Sequence, residues 1–285
     1  MKEIAPNVYV STEYDYVNVG CVAGPDGVVA IDVPTLPRDA LDWRERIGEL
    51  VGRPIVYTVV TDAHPHRLLC ATFLEAPIVA SEGAYEQAAD YSHGFWRNVV
   101  RRLNRNHPDQ GELLKVIEPE LPSLLFSDTM TLHKAGRDVS LEVMDGAAPG
   151  SSCVRLSDVD IMFLGDTLVV GLPPVMDRCP DTKAWLDTLT SLRRSYLADT
   201  TFVPGRGVLS DQSATEPLSE YIRLARRRMR SLHRAERSRD DVVDYVDELI
   251  DVFSLPDETR SGYRRRVRNG LKQVYEELTL DEDSG

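Results

Sequence analysis

Apolar, β-branched residues come in short runs over the first 80 positions: 8–10, 17–22 and 28–33, the last two separated by Gly24-Pro25-Asp26-Gly27. Runs of this length bounded by turn residues predict strands. From Pro37 to about Val51 the pattern turns helical, with Leu41, Ile47 and Leu50 on one side behind a proline suited to a first helical turn. A strand over 55–60, a helical turn near 68–74 and a strand over 78–80 follow. This alternation predicts a mixed sheet covered by helices.

Positions 84–106 read as helix and break the β pattern, within an insertion spanning about 84–110. Strands resume over 130–132, 139–143, 152–156 and 160–164. A helix over 182–197 is capped by Asp181 behind Pro180, and a short strand over 201–203 runs into Pro204-Gly205-Arg206-Gly207. From Thr215 onward the pattern is helical only. Its three apolar stripes are Leu218/Ile222/Ala225/Met229/Leu232, Val242/Val246/Leu249/Ile250/Phe253 and Tyr263/Val267/Leu271/Val274/Leu278. The acidic tail, 281–285, is expected to fray. The expected division is a mixed unit over 1–214 and a helical extension over 215–285. The stripes of the extension need a partner surface, either the first unit or a second subunit, so a homodimer is one expectation.

Composition narrows the class without naming it. At 285 residues, 42% hydrophobic and 28% charged, the chain is an ordinary globular protein. No apolar stretch approaches the roughly 20 residues of a membrane helix, and the first residues lack the hydrophobic core of a signal peptide. Cys21, Cys70, Cys153 and Cys179 lie far apart, which reads as free thiols in a reducing cytosol. A net charge of -13 argues against nucleic acid as the partner. Arginines cluster over 223–239 and 264–268, but no aromatic platform accompanies them. They read as solvated helix faces that pair with the acidic residues around 240–251.

Chemistry-bearing residues concentrate after the 55–60 strand, in Thr61-Asp62-Ala63-His64-Pro65-His66-Arg67. Imidazoles and a carboxylate at a strand end are placed as metal ligands would be. The segment resembles the His-x-His-x-Asp-His signature of the metallo-β-lactamase superfamily. Four further landmarks follow that family's order. Ala30-Ile31-Asp32 matches a strand ending in aspartate, and Gly146-Ala147-Ala148-Pro149-Gly150-Ser151 resembles Gly-His-Thr-Pro-Gly-Ser. Phe163-Leu164-Gly165-Asp166 matches the Gly-Asp that supplies a bridging carboxylate, and Pro204-Gly205-Arg206-Gly207 resembles Pro-Gly-His-Gly. The resemblance implies an α/β fold, a four-layer αβ/βα sandwich, with the site at one edge between two sheets and a C-terminal helical extension beyond it.

It also implies where the ligands of two metal ions, usually zinc, would stand. The first ion's positions are Asp62, His64 and Ala147; the second's are His66, Arg67 and Arg206; Asp166 is the bridge. Only His64 and Asp166 keep the family's residue type. Alanine offers no ligand, and arginine keeps its proton and has no lone pair. An arginine–aspartate network in place of the metal centre is therefore expected, with no cofactor. The alternative is one divalent ion, zinc, iron or manganese, on Asp62, His64, His66 and Asp166. Asp32 is expected to brace the loop by hydrogen bonds. Tyr14 and Tyr16 lie on a loop that overhangs the site in the family. His93, Phe95, Trp96 and His107 belong to the helical insertion and read as packing residues, and His133 as an exposed one.

Three functions are open at this point. One is a ligand-binding or regulatory pseudo-hydrolase whose arginines suit a small anionic ligand. A second is a hydrolase of an ester, lactone, thioester or phosphoester. In it His64 or His66 is the base, Asp62 or Asp166 orients it, and Arg67 or Arg206 stabilises the oxyanion. The third is an interaction module built on the C-terminal helices.

Overall fold

The computed structural model describes residues 1–283. Seven strands form the first sheet in chain order: β1 (Lys2–Ala5), β2 (Val8–Ser11), β3 (Val19–Gly24), β4 (Gly27–Ile31), β5 (Ile55–Val59), β6 (Ile78–Ser81) and β7 (Leu124–Phe126). Pairing is antiparallel from β1 to β4 and parallel from β4 to β7. The second sheet holds β8 (Thr129–Lys134), β9 (Arg137–Val143), β10 (Ser152–Leu156), β11 (Ile161–Val169) and β12 (Thr201–Arg206). Its order is β12-β11-β10-β9-β8, with only β11 and β12 parallel.

The helices are α1 (Pro37–Val51), α2 (Pro65–Leu68), α3 (Glu82–Ala89), α4 (His93–Asn106), α5 (Gly111–Val116), α6 (Thr182–Ser191), α7 (Thr215–Arg234), α8 (Val246–Asp251) and α9 (Asp257–Asp283). Strand alternation sorts the side chains into layers. In β3, Val19, Cys21 and Ala23 face the helices α1, α4 and α5, where Trp43, Ile47 and Leu103 are buried, while Val22 faces the second sheet. In β11, Ile161 and Phe163 face the first sheet, and Met162 and Leu164 face α6–α9. Two sheets back to back with helices outside each make the four-layer sandwich.

Helices α7–α9 are part of this packing. Leu218, Ile222, Met229, Leu249, Leu271 and Val274 share one core with Met162, Phe202 and Trp185. The apolar stripes of the extension are thus spent on the chain's own second sheet. Large hydrophobics left exposed there, Val243, Val252 and Leu280, are scattered.

Several boundaries differ from the pattern-based expectation. Strand β1 carries one strong hydrophobe among Lys2, Glu3 and Ala5, and β7 is a three-residue edge strand behind Pro122; neither has a period to read. The helical stretch 84–106 is two helices, because Ser81 and Ser92 each cap a new N-terminus through their hydroxyls. The helix capped by Asp181 stops at Ser191. The second C-terminal stripe begins as 3-10 turns over Arg239–Tyr245. Of the acidic tail, 284–285 and the side chains from 281 onward lie outside the described residues.

Candidate functional site

Three strand ends and the interior of a fourth strand meet at one edge of the sandwich. Asp32 follows β4, the Asp62–Arg67 segment follows β5, and Asp166 and Arg206 lie on the parallel neighbours β11 and β12. Strand β11 does not end at Asp166; it continues to Val169 with a register irregularity at Gly165. That irregularity turns Asp166 into the site while the strand goes on.

Arg67, fully buried, stands at the centre. Its three nitrogens reach three carboxylates: Nη1 donates to Asp32, Nη2 donates to Asp166 Oδ1 at 2.7 Å, and Nε lies 3.2 Å from Asp62 Oδ2. Arg206 adds its Nε to the same Asp166 oxygen at 3.3 Å. Asp32 holds a left-handed backbone (φ 55°) and also accepts from the Thr61 backbone N–H at 2.9 Å and the Thr61 hydroxyl. One carboxylate thereby ties the end of β4 to the start of the segment that carries Arg67.

The two imidazoles are fixed by different aspartates. His64 Nδ1 lies 2.9 Å from Asp62 Oδ1, which also accepts the His64 backbone N–H at 2.8 Å. His66 Nε2 lies 3.1 Å from Asp166 Oδ2, and the two rings stack with centroids 5.2 Å apart. With both carboxylates ionised, these partners assign the proton to Nδ1 of His64 and to Nε2 of His66. His64 Nε2 is then a buried lone pair with no partner among the described residues.

Electrostatics follow from this geometry. Burial opposes ionisation of Asp166, but Arg206 and Arg67 outweigh it and hold the carboxyl well below its usual range. Burial opposes Asp62 too, yet His64 and Arg67 keep it low. Burial dominates at Asp32, pushing it up to about 6 against the pull of Arg67. It also pushes His66 down to about 4. At His64 burial acts against the charge, but Asp62 prevails and the value rises.

These shifts predict the acid limb of stability. Asp62 and Asp166 contribute fully above about pH 4, their unfolded range, and that contribution is lost as pH falls further. His66 has the same sign, since the unfolded ring binds a proton from about pH 6.5 downward while the folded ring waits until about 4. Asp32 opposes it, the fold binding its proton first, from about 6. Urea midpoints are expected to change little between pH 6 and 4 and to fall steeply below 4. In His66→Gln the Asp32 contribution is left alone, so stability is expected to rise as pH drops from 6 to 4; a flat or falling profile in that variant would refute the assignment.

A cleft of about 820 Å³ opens over the centre. His64, His66 and Arg206 line its floor; Tyr14, Tyr16 and Phe95 line its walls. The Tyr14 hydroxyl donates to Asp42 at 2.6 Å, and the Tyr16 hydroxyl pairs with His107 Nε2 at 2.7 Å, which joins the overhanging loop to the helical insertion. Phe95 and Trp96 pack on Tyr91, so the insertion both packs and roofs the cleft. His93 is exposed and does not line it, and His133 is exposed and paired with Asp138 at 2.7 Å.

The pattern-based reading missed the far wall. Arg264 does pair with Asp247, and Arg228 with Glu248, as solvated faces would. Arg265 and Arg266, however, turn into the cleft, where Arg102 and Arg178 join them. Arg226 is buried against Glu277 and Thr182. The available signal was the place of Arg266 beside the Tyr263/Val267 stripe, which draws it toward the packed side.

A dinuclear metal centre does not fit these residues. Ala147 is buried and offers no donor, while Arg67 and Arg206 put guanidiniums on the bridging carboxylate itself. Fewer donors remain for a single ion. His64, His66 and Asp166 have ligand atoms all within 4.8 Å of one another and could hold one, whereas Asp62 stands outside that group, turned to His64. Ligand atoms about 2.0–2.2 Å from an ion sit roughly 3.3–3.6 Å apart in a tetrahedron, so the trio would have to close around it beside two fixed positive charges.

Backbone packing reinforces the ion cluster. A side chain at Gly205 would collide with Arg67 Nη2 and Asp166 Oδ1, because the β12 backbone passes directly against that pair. Gly205→Ala is expected to destabilise the fold by about 1–3 kcal/mol, the usual cost of overpacking. A thermal melt unchanged from the parent would contradict the tight approach.

No family model matches the chain, and neither does any curated protein. Solved structures do. A metallo-β-lactamase family protein from Thermus thermophilus is similar over 99% of this chain and 95% of its own, at 18% identity and a TM-score of 0.70. A metallo-β-lactamase from Pontibacter korlensis covers 78% of this chain and 97% of its own, at 20% identity and a TM-score of 0.60. The stereoselective inverting sec-alkylsulfatase Pisa1 from Pseudomonas sp. covers 96% of this chain at 15% identity and a TM-score of 0.70, this chain spanning about half (49%) of its length.

Proposed function

We propose that this chain, a protein of the metallo-β-lactamase fold, has given up the dinuclear centre and uses the cleft to bind a small anionic ligand, as a ligand-binding or regulatory pseudo-hydrolase. The observation that carries the reading is Arg67, buried among Asp32, Asp62 and Asp166 at a position the resemblance assigns to a ligand of the second ion. Like charges exclude a cation from that spot, and the three carboxylates already have their counter-charge. Arg206 offers a positive floor to the cleft.

Metal content tests it. Protein purified without a nickel column or a chelator is expected to carry far less than one equivalent of any metal by elemental mass spectrometry, with Asp166→Ala no lower. Close to one equivalent of one metal, lost in Asp166→Ala, would sink the reading.

The convergence of His64, His66 and Asp166 supports a second reading, a hydrolase of an ester, lactone, thioester or phosphoester. Its metal form would be held by that trio, the ion polarising the scissile group and activating water. A metal-free form would draw on His64, oriented by Asp62 and with Nε2 free, beside Arg206 as oxyanion partner. The interaction-module reading loses support, because the apolar stripes of α7–α9 are covered by the chain itself.

A further inference from the structure

Arg206 is a buried guanidinium that uses one of its nitrogens. Nε rests on Asp166, while Nη1 and Nη2 are buried without a partner among the described residues, and the side chain lines the cleft. Buried N–H donors are almost always satisfied, so an unpaired fork on a side chain that lines the cleft calls for an acceptor from outside the chain. Arg266, half-buried on α9, faces the same floor. It lies over Tyr263 at 5.0 Å and, among the described residues, makes a single long bond, 3.4 Å, to the Pro173 carbonyl. Burial and Arg206 both disfavour its charge, only partly relieved by Asp166 and Asp177.

A second arginine pair stands at the mouth. Arg102 on α4 and Arg265 on α9 are exposed, line the same cleft, and lie near enough that Arg265 adds to the burial that disfavours the Arg102 charge. Arg178, which also lines the cleft, lies over the rings of Tyr91 and Phe95 at 4.8 and 5.2 Å. The cleft therefore holds Arg102, Arg178, Arg206, Arg265 and Arg266 against two lining acids, Asp15 and Asp177, in a chain whose net charge is -13. Sorting positive charge into one cavity against such a background focuses the field on an anion. Apolar side chains, among them Phe95, Leu172, Val175 and Tyr263, also line the cleft.

Building on the anionic-ligand reading above, we propose that the cleft takes an organic molecule bearing two oxyanion groups, carboxylate or phosphate-like. One group sits in the fork of Arg206 with Arg266, and the other lies between Arg102 and Arg265, with an apolar spacer along the wall. Guanidinium forks match both oxyanion types bidentately, and each pair of repelling arginines gains from an anion placed between its members. Helix α9 supplies one arginine to each subsite, which makes the C-terminal extension part of the binding site.

Isothermal titration calorimetry on the full chain tests this with alkane-α,ω-dicarboxylates and α,ω-bisphosphonates of four to ten carbons, each against the monoanion of equal length. A dianion of matching length is expected to bind at least tenfold more tightly than its monoanion. Arg265→Ala is expected to erase that advantage while leaving monoanion affinity intact, and Arg266→Ala to weaken both at least tenfold, with circular dichroism confirming the fold of each variant. Equal affinity for monoanion and dianion at every length in the parent protein would overturn the two-group site and leave the anionic cleft standing. No binding of any probe would overturn both.

Discussion

Arg67→Met is expected to lose about 3–5 kcal/mol of folding stability at neutral pH, the range seen when one partner leaves a buried ion pair. The substitution keeps most of the side-chain volume and removes the charge that three buried carboxylates share. At an effective dielectric near 20, each contact at about 4 Å is worth roughly 4 kcal/mol before desolvation is counted, so no single replacement contact can compensate. Arg67→Lys is expected to recover only part of the loss, because an ammonium cannot reach Asp32, Asp62 and Asp166 from one planar fork. Adding Asp166→Asn to Arg67→Met should restore some stability by removing a stranded charge. Urea denaturation of the three variants decides the matter. A loss below about 1 kcal/mol in Arg67→Met would mean that the carboxylates are satisfied without it.

The second large effect is expected at residues that do not line the cleft. Glu277 on α9 is buried, accepts from the Thr182 hydroxyl of α6 at 2.9 and 2.8 Å, and is paired with Arg226 of α7. Glu277→Ala leaves the Arg226 guanidinium buried with only a hydroxyl for company, again a loss of about 3–5 kcal/mol. Because this node joins three helices, the loss should not be uniform. Amide exchange along α9 is expected to quicken more than exchange in β3 or β4, and the cleft wall formed by Arg265 and Arg266 should loosen with it. Uniform quickening throughout the chain would indicate a purely global effect.

Much of the fold was legible because its landmarks sit at strand ends, where a β-branched run gives way to a polar or turn residue. Asp32, the 61–67 segment and Arg206 are of this kind, and the strands that carry or precede them were readable from their apolar runs. Elements without a period, β1 and β7, were not. Asp166 differs, because β11 runs on through it to Val169, and Gly165, at φ 51°, lies against Thr61 where a side chain would collide. At the site, the meeting of Arg67 and Arg206 with the aspartates could be anticipated from the positions the resemblance assigns them, together with their charge. The contribution of Arg265 and Arg266 could not. They lie about sixty residues beyond the last motif, in an arginine-rich run whose first member, Arg264, does pair with an acid on the surface. Only the packing of α9 against the second sheet decides which face of that run looks inward.

Arg67 has one more consequence, for how the molecule is made. An edge closed by ions depends on what the surrounding solution supplies, and it can be opened by anything that competes for those ions. Here the fastener is part of the polypeptide. It arrives with synthesis, in fixed stoichiometry, and docks when β4, β5 and β11 come together. Folding yield should therefore be indifferent to trace-metal supply, and a strong chelator should leave the thermal midpoint where it was.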